Sequence, residues 1–154
     1  MRLVTYNIRG GLGMDGVRST SRIVEVLKKI DADIICLQEV HQRLPWSGMR
    51  DQPGHLSRLL GKRVLFQANY GYGLGGFGNA ILTALPIAAT QSYRLPNRRE
   101  RSKILRLPEK RGLFQADIET PGGRLSVFTT HWSLHADDRM EMAVEAALWI
   151  QSVK

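Results

Sequence analysis

The spacing of apolar residues along the chain predicts short strands alternating with a few helices. An apolar run over Leu3–Ile8 predicts a first strand, which the glycine-rich segment 10–13 ends. The next segment has the i, i+3, i+4, i+7 spacing of an amphipathic helix at Ile23, Val26, Leu27 and Ile30. A continuous apolar run over Ile34–Gln38 then predicts a strand that is buried on both faces.

The remainder of the chain is predicted to contain more strands than helices. A short helix is predicted over 53–60, and strands over 63–68, 79–84, 113–118 and 125–130. The turn residues Pro121-Gly122-Gly123 join the last two strands as a hairpin. A final helix over about 137–153 has its predicted apolar face at Met140, Ala143, Val144, Ala147 and Ile150. The predicted fold class is α/β (α+β), with a mixed, mostly antiparallel sheet and flanking helices.

The composition narrows the class of protein. A chain of 154 residues with 43% hydrophobic and 23% charged residues is typical of one globular domain, 1–154. No apolar run reaches the roughly 18–20 residues of a membrane span, and we expect no secretory signal at the start of the chain. The single cysteine, Cys36, lies in an apolar run and is predicted to be a buried strand residue. These features predict a cytoplasmic protein.

The positive charge is concentrated in one segment. The net charge is +8, and the segment from Asn97 to Arg111 holds seven basic and two acidic residues. Such a loop suits a polyanion, such as nucleic acid or a phosphorylated headgroup. The residues predicted to bind phosphate there are Arg98, Arg99, Arg101 and Lys103. A solvated basic loop without a specific partner explains the same charge.

Polar residues stand at the ends of predicted strands. Glu39 follows a buried strand directly, where a carboxylate needs a partner. A hard cation such as Mg²⁺ is one candidate partner, and a salt bridge to one of the 22 basic side chains is the other. Asn7 can either cap the glycine turn or help to order a metal shell or a phosphate oxygen. For Arg111 and His131, local chemistry alone does not distinguish a functional role from a structural one.

Taken in order, these segments form a recognisable series. The blocks TYNIRGG, ADIICLQEV, GFGNAILTALPI, EKRGLFQADI and SVFTTH span nearly the whole chain. In type and order they resemble the endonuclease/exonuclease/phosphatase superfamily, which includes deoxyribonucleases, abasic-site endonucleases, neutral sphingomyelinases and inositol-polyphosphate 5-phosphatases. The segment 13–16 resembles bacterial members most.

The resemblance implies a role for several residues. By this likeness Glu39 binds a divalent cation, Mg²⁺ or Mn²⁺, and Asn7 lies beside the metal and the scissile phosphate. Arg111 orders the site, and His131 contacts the phosphate. Asn79 and Gln38 have supporting positions. The family usually has Leu after the histidine, whereas Trp132 follows it here, which is expected to reshape the substrate pocket.

Two further motifs of the family are absent from this sequence. Neither a Gly-Asp-Phe-Asn block nor a Ser-Asp-His block, whose histidine is the general base, occurs in the chain. We therefore expect a truncated domain, half of a four-layer α/β/β/α sandwich. We expect this half to supply one sheet whose inner face lacks its usual cover. Either a missing carboxyl-terminal half or a second copy of the chain is the expected partner.

These observations lead to one predicted function and two alternatives. The predicted function is metal-dependent hydrolysis of a phosphoester, of nuclease, phosphodiesterase or phosphatase type, with an incomplete active site. One alternative is a non-catalytic fragment that binds polyanions or nucleic acid through the basic loop 97–111, and the other is a structural half that dimerises. The substrate class stays open, because loops rather than the fold choose it.

Overall fold

The structure, a computed structural model, describes residues 1–73, 75–98 and 109–153. The described residues form seven strands and three α-helices. In chain order these are β1 (Leu3–Asn7), α1 (Thr20–Ile30), β2 (Ile34–Gln42), α2 (Gln52–Leu60), β3 (Arg63–Tyr72), β4 (Gly75–Thr83), β5 (Ile87–Leu95), β6 (Arg111–Thr120), β7 (Gly123–Thr129) and α3 (Ala136–Ser152). No helix in these ranges is both long and apolar enough to cross a membrane.

The strands form two sheets. The first has the order β1-β2-β4-β3, in which only β1 and β2 are parallel. The second has the order β5-β6-β7 and is antiparallel throughout. The predicted mixed, mostly antiparallel character is confirmed.

Three hydrophobic clusters hold the elements in four layers. The first packs α1 and α2 against one face of the first sheet, with Leu27 and Leu56 against Leu37. The second lies between the two sheets and contains Ile34, Cys36 and Ile81 from the first sheet and Phe114, Ala116, Ile118 and Val127 from the second. The third packs α3 on the outer face of the second sheet through Met142 and Ala146. The layers follow the order α/β/β/α, which confirms the predicted fold class.

The expectation of a single sheet with an uncovered inner face is wrong. The same chain builds strands of both sheets, so the apolar face of β2 and β4 is covered by β6 and β7. Among the described residues, β1 and β7 are each the last strand of their sheet. An open groove of about 710 Å³ lies between these two edges, lined in part by Leu3, Val127 and Trp132.

Two details of the predicted elements also need correction. No strand was predicted where β5 lies, and its residues are mostly exposed, so the apolar alternation of a half-buried strand is missing there. The predicted apolar face of α3 is largely wrong. Met140 and Val144 are 68% and 56% exposed, whereas Met142 and Ala146 are buried. This helix is apolar on more than one side, and packing decided which side is buried.

Candidate active site

The ends of β1 and β2 bring the first two predicted site residues together. The strands are parallel and place Asn7 opposite Gln38, so Asn7 and Glu39 lie at the same end of the sheet. The Asn7 side chain donates a hydrogen bond from Nδ2 to Glu39 Oε1 at 2.8 Å. The Nε2 atom of His131, which follows β7, lies 3.7 Å from the same carboxylate oxygen. Three residues from distant parts of the sequence therefore share one small site.

A β-bulge sets the position of Glu39. The pairing of β2 with β4 shifts register between Leu37 and Val40, and Glu39 has a left-handed φ of 55°. A left-handed conformation at a non-glycine residue costs on the order of 1–3 kcal/mol and persists only where the surroundings enforce it. Bulges commonly re-aim a side chain beside an active site. The Glu39 side chain is 28% exposed, so its carboxylate is accessible from solvent.

The hydrogen bond from Arg111 fixes the tautomer of His131. Arg111 NH1 lies 2.5 Å from His131 Nδ1. A guanidinium can only donate, so Nδ1 must accept and Nε2 must carry the ring hydrogen. Asn7 Nδ2 lies 3.5 Å from Nε2, and because both groups are donors this contact is not a hydrogen bond. Two N–H groups thus lie side by side next to Glu39, an arrangement that suits a phosphate oxygen.

Arg111 is a buried residue. Its side chain is only 2% exposed, and its NH2 atom lies 3.3 Å from Glu109 Oε1. A guanidinium at this depth needs a charged partner, and removal of one partner from such a pair typically costs about 3–5 kcal/mol. Held in this way, Arg111 is well placed to orient the imidazole of His131.

The two predicted supporting residues connect the sheets below the site. Gln38 Nε2 donates at 3.0 Å to Thr5 Oγ1 on β1 and at 3.0 Å to Thr129 Oγ1 on β7. Asn79 is fully buried, and its Nδ2 atom donates to the Gly112 carbonyl at 3.4 Å. Both amides therefore tie the first sheet to the strands that carry Arg111 and His131.

A group of buried amides beside Gly112 was not predicted. A Cβ atom on Gly112 would lie 2.7 Å from both Asn69 Oδ1 and Gln67 Nε2, so a larger residue there would displace these two amide groups. Gln67 Nε2 also donates to the Leu113 carbonyl at 3.4 Å. Gln67 and Asn69 stand near the end of a predicted strand, so the sequence showed two amides there. Their contact with β6 could not be predicted, because the residues involved are far apart in the sequence.

The loop after β1 also contains residues that sequence reasoning missed. The Arg9 N–H donates to Asn7 Oδ1 at 3.0 Å, which leaves Nδ2 to face Glu39. Gly10 has a φ of 58°, and a Cβ atom there would lie 2.5 Å from the ring of His41. Burial is the main cause that lowers the pKa of His41 to about 4, with a smaller contribution from Arg18. The neutral imidazole therefore packs directly beneath the loop.

The predicted basic segment is described only in part. Arg98 Nε lies 3.7 Å from Glu141 Oε2 on α3. The other three predicted phosphate-binding residues, Arg99, Arg101 and Lys103, lie outside the described residues.

The donor set suits a hard divalent cation but supplies few ligands. Glu39 provides one accessible carboxylate, and Mg²⁺ typically uses one or two carboxylates together with several waters and substrate phosphates. In the ranges 1–73, 75–98 and 109–153, no group of three or more His, Cys, Asp or Glu side chains is placed to hold a metal. The residues present fit a cation held through Glu39 and mainly hydrated.

Comparisons with known proteins agree on one family. The sequence model of the Endonuclease/Exonuclease/phosphatase family matches residues 4–147. The endonuclease/exonuclease/phosphatase from Beutenbergia cavernae DSM 12333 is 25% identical with a TM-score of 0.73, over 92% of this chain and 42% of that one. A family protein from Bacteroides thetaiotaomicron is 17% identical with a TM-score of 0.74, over 99% and 59%.

A third similar structure contains nucleic acid. It is D. rerio TDP2 complexed with a single-strand DNA product. That protein is 15% identical to this chain with a TM-score of 0.66, and the match covers 99% of this chain and 54% of that one. The chain thus spans about half the length of the structures it matches. Comparison with curated proteins finds none with significant sequence similarity.

Proposed function

This chain belongs to the endonuclease/exonuclease/phosphatase family, and from that premise we propose that it contributes to metal-dependent hydrolysis of a phosphoester. The observation that carries the proposal is the single site formed by Asn7, Glu39 and His131, with Arg111 behind the imidazole. Family membership supports a hydrolase of the phosphoesterase or nuclease type.

Each proposed role follows from an atom in the site. Attack of water on phosphorus increases the negative charge on the phosphoryl oxygens, and donors that already point at them stabilise that charge. His131 Nε2–H and Asn7 Nδ2–H face the same space and are proposed to bind one such oxygen. Arg111 holds the imidazole in that tautomer. Glu39 is the residue proposed to hold Mg²⁺ or Mn²⁺, and a bound cation supplies Lewis-acid stabilisation of the phosphoryl group.

The described residues do not supply a clear general base. The lone pair of His131 lies on Nδ1, which Arg111 occupies, so this imidazole cannot accept a proton from water without breaking that contact. We propose that residues beyond this set complete the site, either from a carboxyl-terminal half or from a second copy. The length of the similar structures, of which this chain spans 42–59%, supports the first source.

The substrate class is proposed only broadly. The similar D. rerio structure is complexed with a single-strand DNA product, and the net charge of +8 favours a polyanion. We therefore propose nucleic acid as the first substrate to test. A reducing compartment such as the cytoplasm suits the buried free thiol of Cys36.

The alternative of a non-catalytic polyanion-binding fragment has less support. It depends on the basic segment 97–111, and Arg98, the one described member of its four predicted phosphate ligands, pairs with Glu141. No observation on the described residues favours this alternative over hydrolysis.

Metal binding by calorimetry is the direct test of the site. We expect Mg²⁺ or Mn²⁺ to bind weakly, and Glu39→Gln to weaken binding by about tenfold or more, because it removes the one anionic ligand. Glu119→Gln is the matched control, since Glu119 is a partly exposed glutamate paired with Arg124 on the hairpin of β6 and β7. Equal binding by wild type and Glu39→Gln would remove the metal assignment.

A further inference from the structure

A separate cavity lies at the amino-terminal ends of α1 and α2. Its volume is about 450 Å³. Its lining includes three arginines, Arg18, Arg50 and Arg58, and one histidine, His55. Ser19, Thr20 and Ser21, from the cap and first turn of α1, line the same cavity. Positive charge, hydroxyl groups and helical N–H groups are thus collected in one concave place.

The positive charge of this cavity is not neutralised locally. Within the described residues, none of the three arginines forms an ion pair with an acidic side chain. The one carboxylate in the lining is Asp51, which caps α2 by accepting from Gly54 N–H at 3.3 Å. Three arginines and one carboxylate, which is already engaged as a helix cap, leave an excess of positive charge in the cavity. Guanidinium groups match the geometry of phosphate oxygens.

Thr20 gives an independent indication of a ligand. It is only 7% exposed, yet it lines the cavity and its hydroxyl makes no hydrogen bond to the described residues. Thr20 and Ser21 are the first two residues of an 11-residue helix, whose leading N–H groups have no intrahelical acceptor. Such N–H groups and the helix dipole together favour a bound anion.

The cavity is connected to the candidate active site through one loop. Arg18 NH1 donates to the carbonyl of Gly10 at 3.1 Å and to that of Arg9 at 3.3 Å. The Arg9 N–H in turn donates to Asn7 Oδ1. The cavity and the Asn7–Glu39–His131 site are therefore linked through the loop 9–11 and share no side chain.

We propose that this cavity is a phosphate-binding site, separate from the site of hydrolysis. Its ligand is a phosphate group, either free or monoesterified or as part of a nucleic-acid backbone. The guanidinium groups of Arg50 and Arg58 and the hydroxyl of Thr20 bind its oxygens. Binding here does not require the proposed catalytic activity, so the two proposals can fail independently.

The first experiment is titration of the full chain with inorganic phosphate, followed by ¹⁵N NMR. We expect saturable shifts of the Thr20 and Ser21 amides. The double variant Arg50→Gln/Arg58→Gln should raise the Kd for phosphate by about tenfold or more, because two charge-assisted hydrogen bonds are lost. Both side chains are exposed, so the fold should persist. Thr20→Val keeps the shape of the side chain and should weaken binding severalfold.

The matched control removes the same charge from the other end of α1. Lys28→Gln/Lys29→Gln changes two basic residues in the last turn of that helix, and we expect its Kd to stay within about twofold of wild type. Equal weakening by the lysine and arginine pairs would overturn the proposal, as would the absence of saturable shifts at Thr20 and Ser21.

A second arm identifies the source of the phosphate. Binding of a labelled single-stranded oligonucleotide is measured by fluorescence anisotropy, with and without inorganic phosphate. If the arginine pair weakens oligonucleotide binding and phosphate competes, the site takes a backbone phosphate. If oligonucleotide binding is unchanged while phosphate binding is lost, the site takes a small phosphorylated ligand. Both results support the site.

Discussion

At the scale of the residue, the candidate site depends on where individual protons lie. His131 has one ring nitrogen next to Arg111 and the other next to Glu39 and Asn7. The sequence block that ends in His131 indicated a phosphate contact, but no pattern in the sequence predicts a tautomer. Glu109 and its buried partner Arg111 stand two positions apart in the sequence, whereas His131 comes next to Arg111 only through the pairing of β6 with β7.

The tautomer itself can be measured. Long-range ¹H–¹⁵N NMR spectra of the imidazole should show His131 with its hydrogen on Nε2 at pH 8, because Arg111 donates to Nδ1. Arg111→Gln should change the tautomer populations, since an amide can accept as well as donate. His55 is the internal control, as it has no contact with Arg111. A neutral His131 with its hydrogen on Nδ1 would contradict the proposed arrangement of donors.

Cys36 gives a second test at this scale. The sequence prediction of a buried strand residue is confirmed, and burial raises the pKa of its thiol to about 11. At pH 8 roughly one thiol in a thousand is then ionised, against about a quarter for a free cysteine. We expect iodoacetamide to alkylate the native chain at least about a hundredfold more slowly than the chain unfolded in urea. Similar rates in both states would show that the space between the sheets is open.

At the scale of the element, most of the fold was predictable from apolar spacing. The predicted segments at β1, α1, β2, α2 and the hairpin of β6 and β7 are all present. The predictions failed where burial is absent or ambiguous. The strand β5 has few buried residues to produce an alternating pattern, and α3 is apolar on more than one side. Amphipathic patterning reports burial, so an exposed edge strand cannot be found by it.

In the loop after β1, the energetic cost of a left-handed backbone can be measured separately from the cost of side-chain packing against it. Gly10 and Gly61 both have left-handed φ values, of 58° and 63°, but only Gly10 has a side chain against it, that of His41. Gly61→Ala should destabilise the chain by about 1 kcal/mol, which is the cost of the backbone conformation alone. Gly10→Ala should cost about 1–3 kcal/mol more, because the methyl group displaces the His41 ring.

Urea denaturation at pH 7.5 measures the free energy of unfolding of the wild type and of each of the two variants. Equal losses for Gly10→Ala and Gly61→Ala would mean that His41 does not pack beneath the loop. A larger loss for Gly10→Ala, together with a change in the Asn7 amide resonances, would show that this packing also positions the candidate site.

At the scale of the whole molecule, the pairing of two sheets was the least predictable feature. The family resemblance gave the layer order α/β/β/α, but not which strands of this chain enter which sheet. Local sequence does not encode that choice, because the packing of Ile34 and Ile81 against Phe114 and Ile118 joins residues far apart in the chain. Within the described part of the chain, this packing leaves β1 and β7 as edge strands on either side of the groove.

The last prediction concerns what completes the site at those edges. The chain alone should hydrolyse DNA or bis-nitrophenyl phosphate with Mg²⁺ poorly, because loss of a positioned base typically costs about 10²–10⁴-fold in rate. Co-expression with the segment of the Beutenbergia cavernae protein that follows the matched region should raise the rate and cover the groove. Glu39→Gln should abolish the gain, whereas Glu119→Gln should retain it.

Two results would count against this view of the molecule. If the chain alone turned over substrate at the rate of the complemented pair, and Glu39→Gln abolished that activity, then the site would be complete within this chain or its dimer. Light scattering at the assay concentration would separate those two cases. If complementation failed although the two segments bound each other, then the base would not come from that half, and the proposed division of the site between two parts would be wrong.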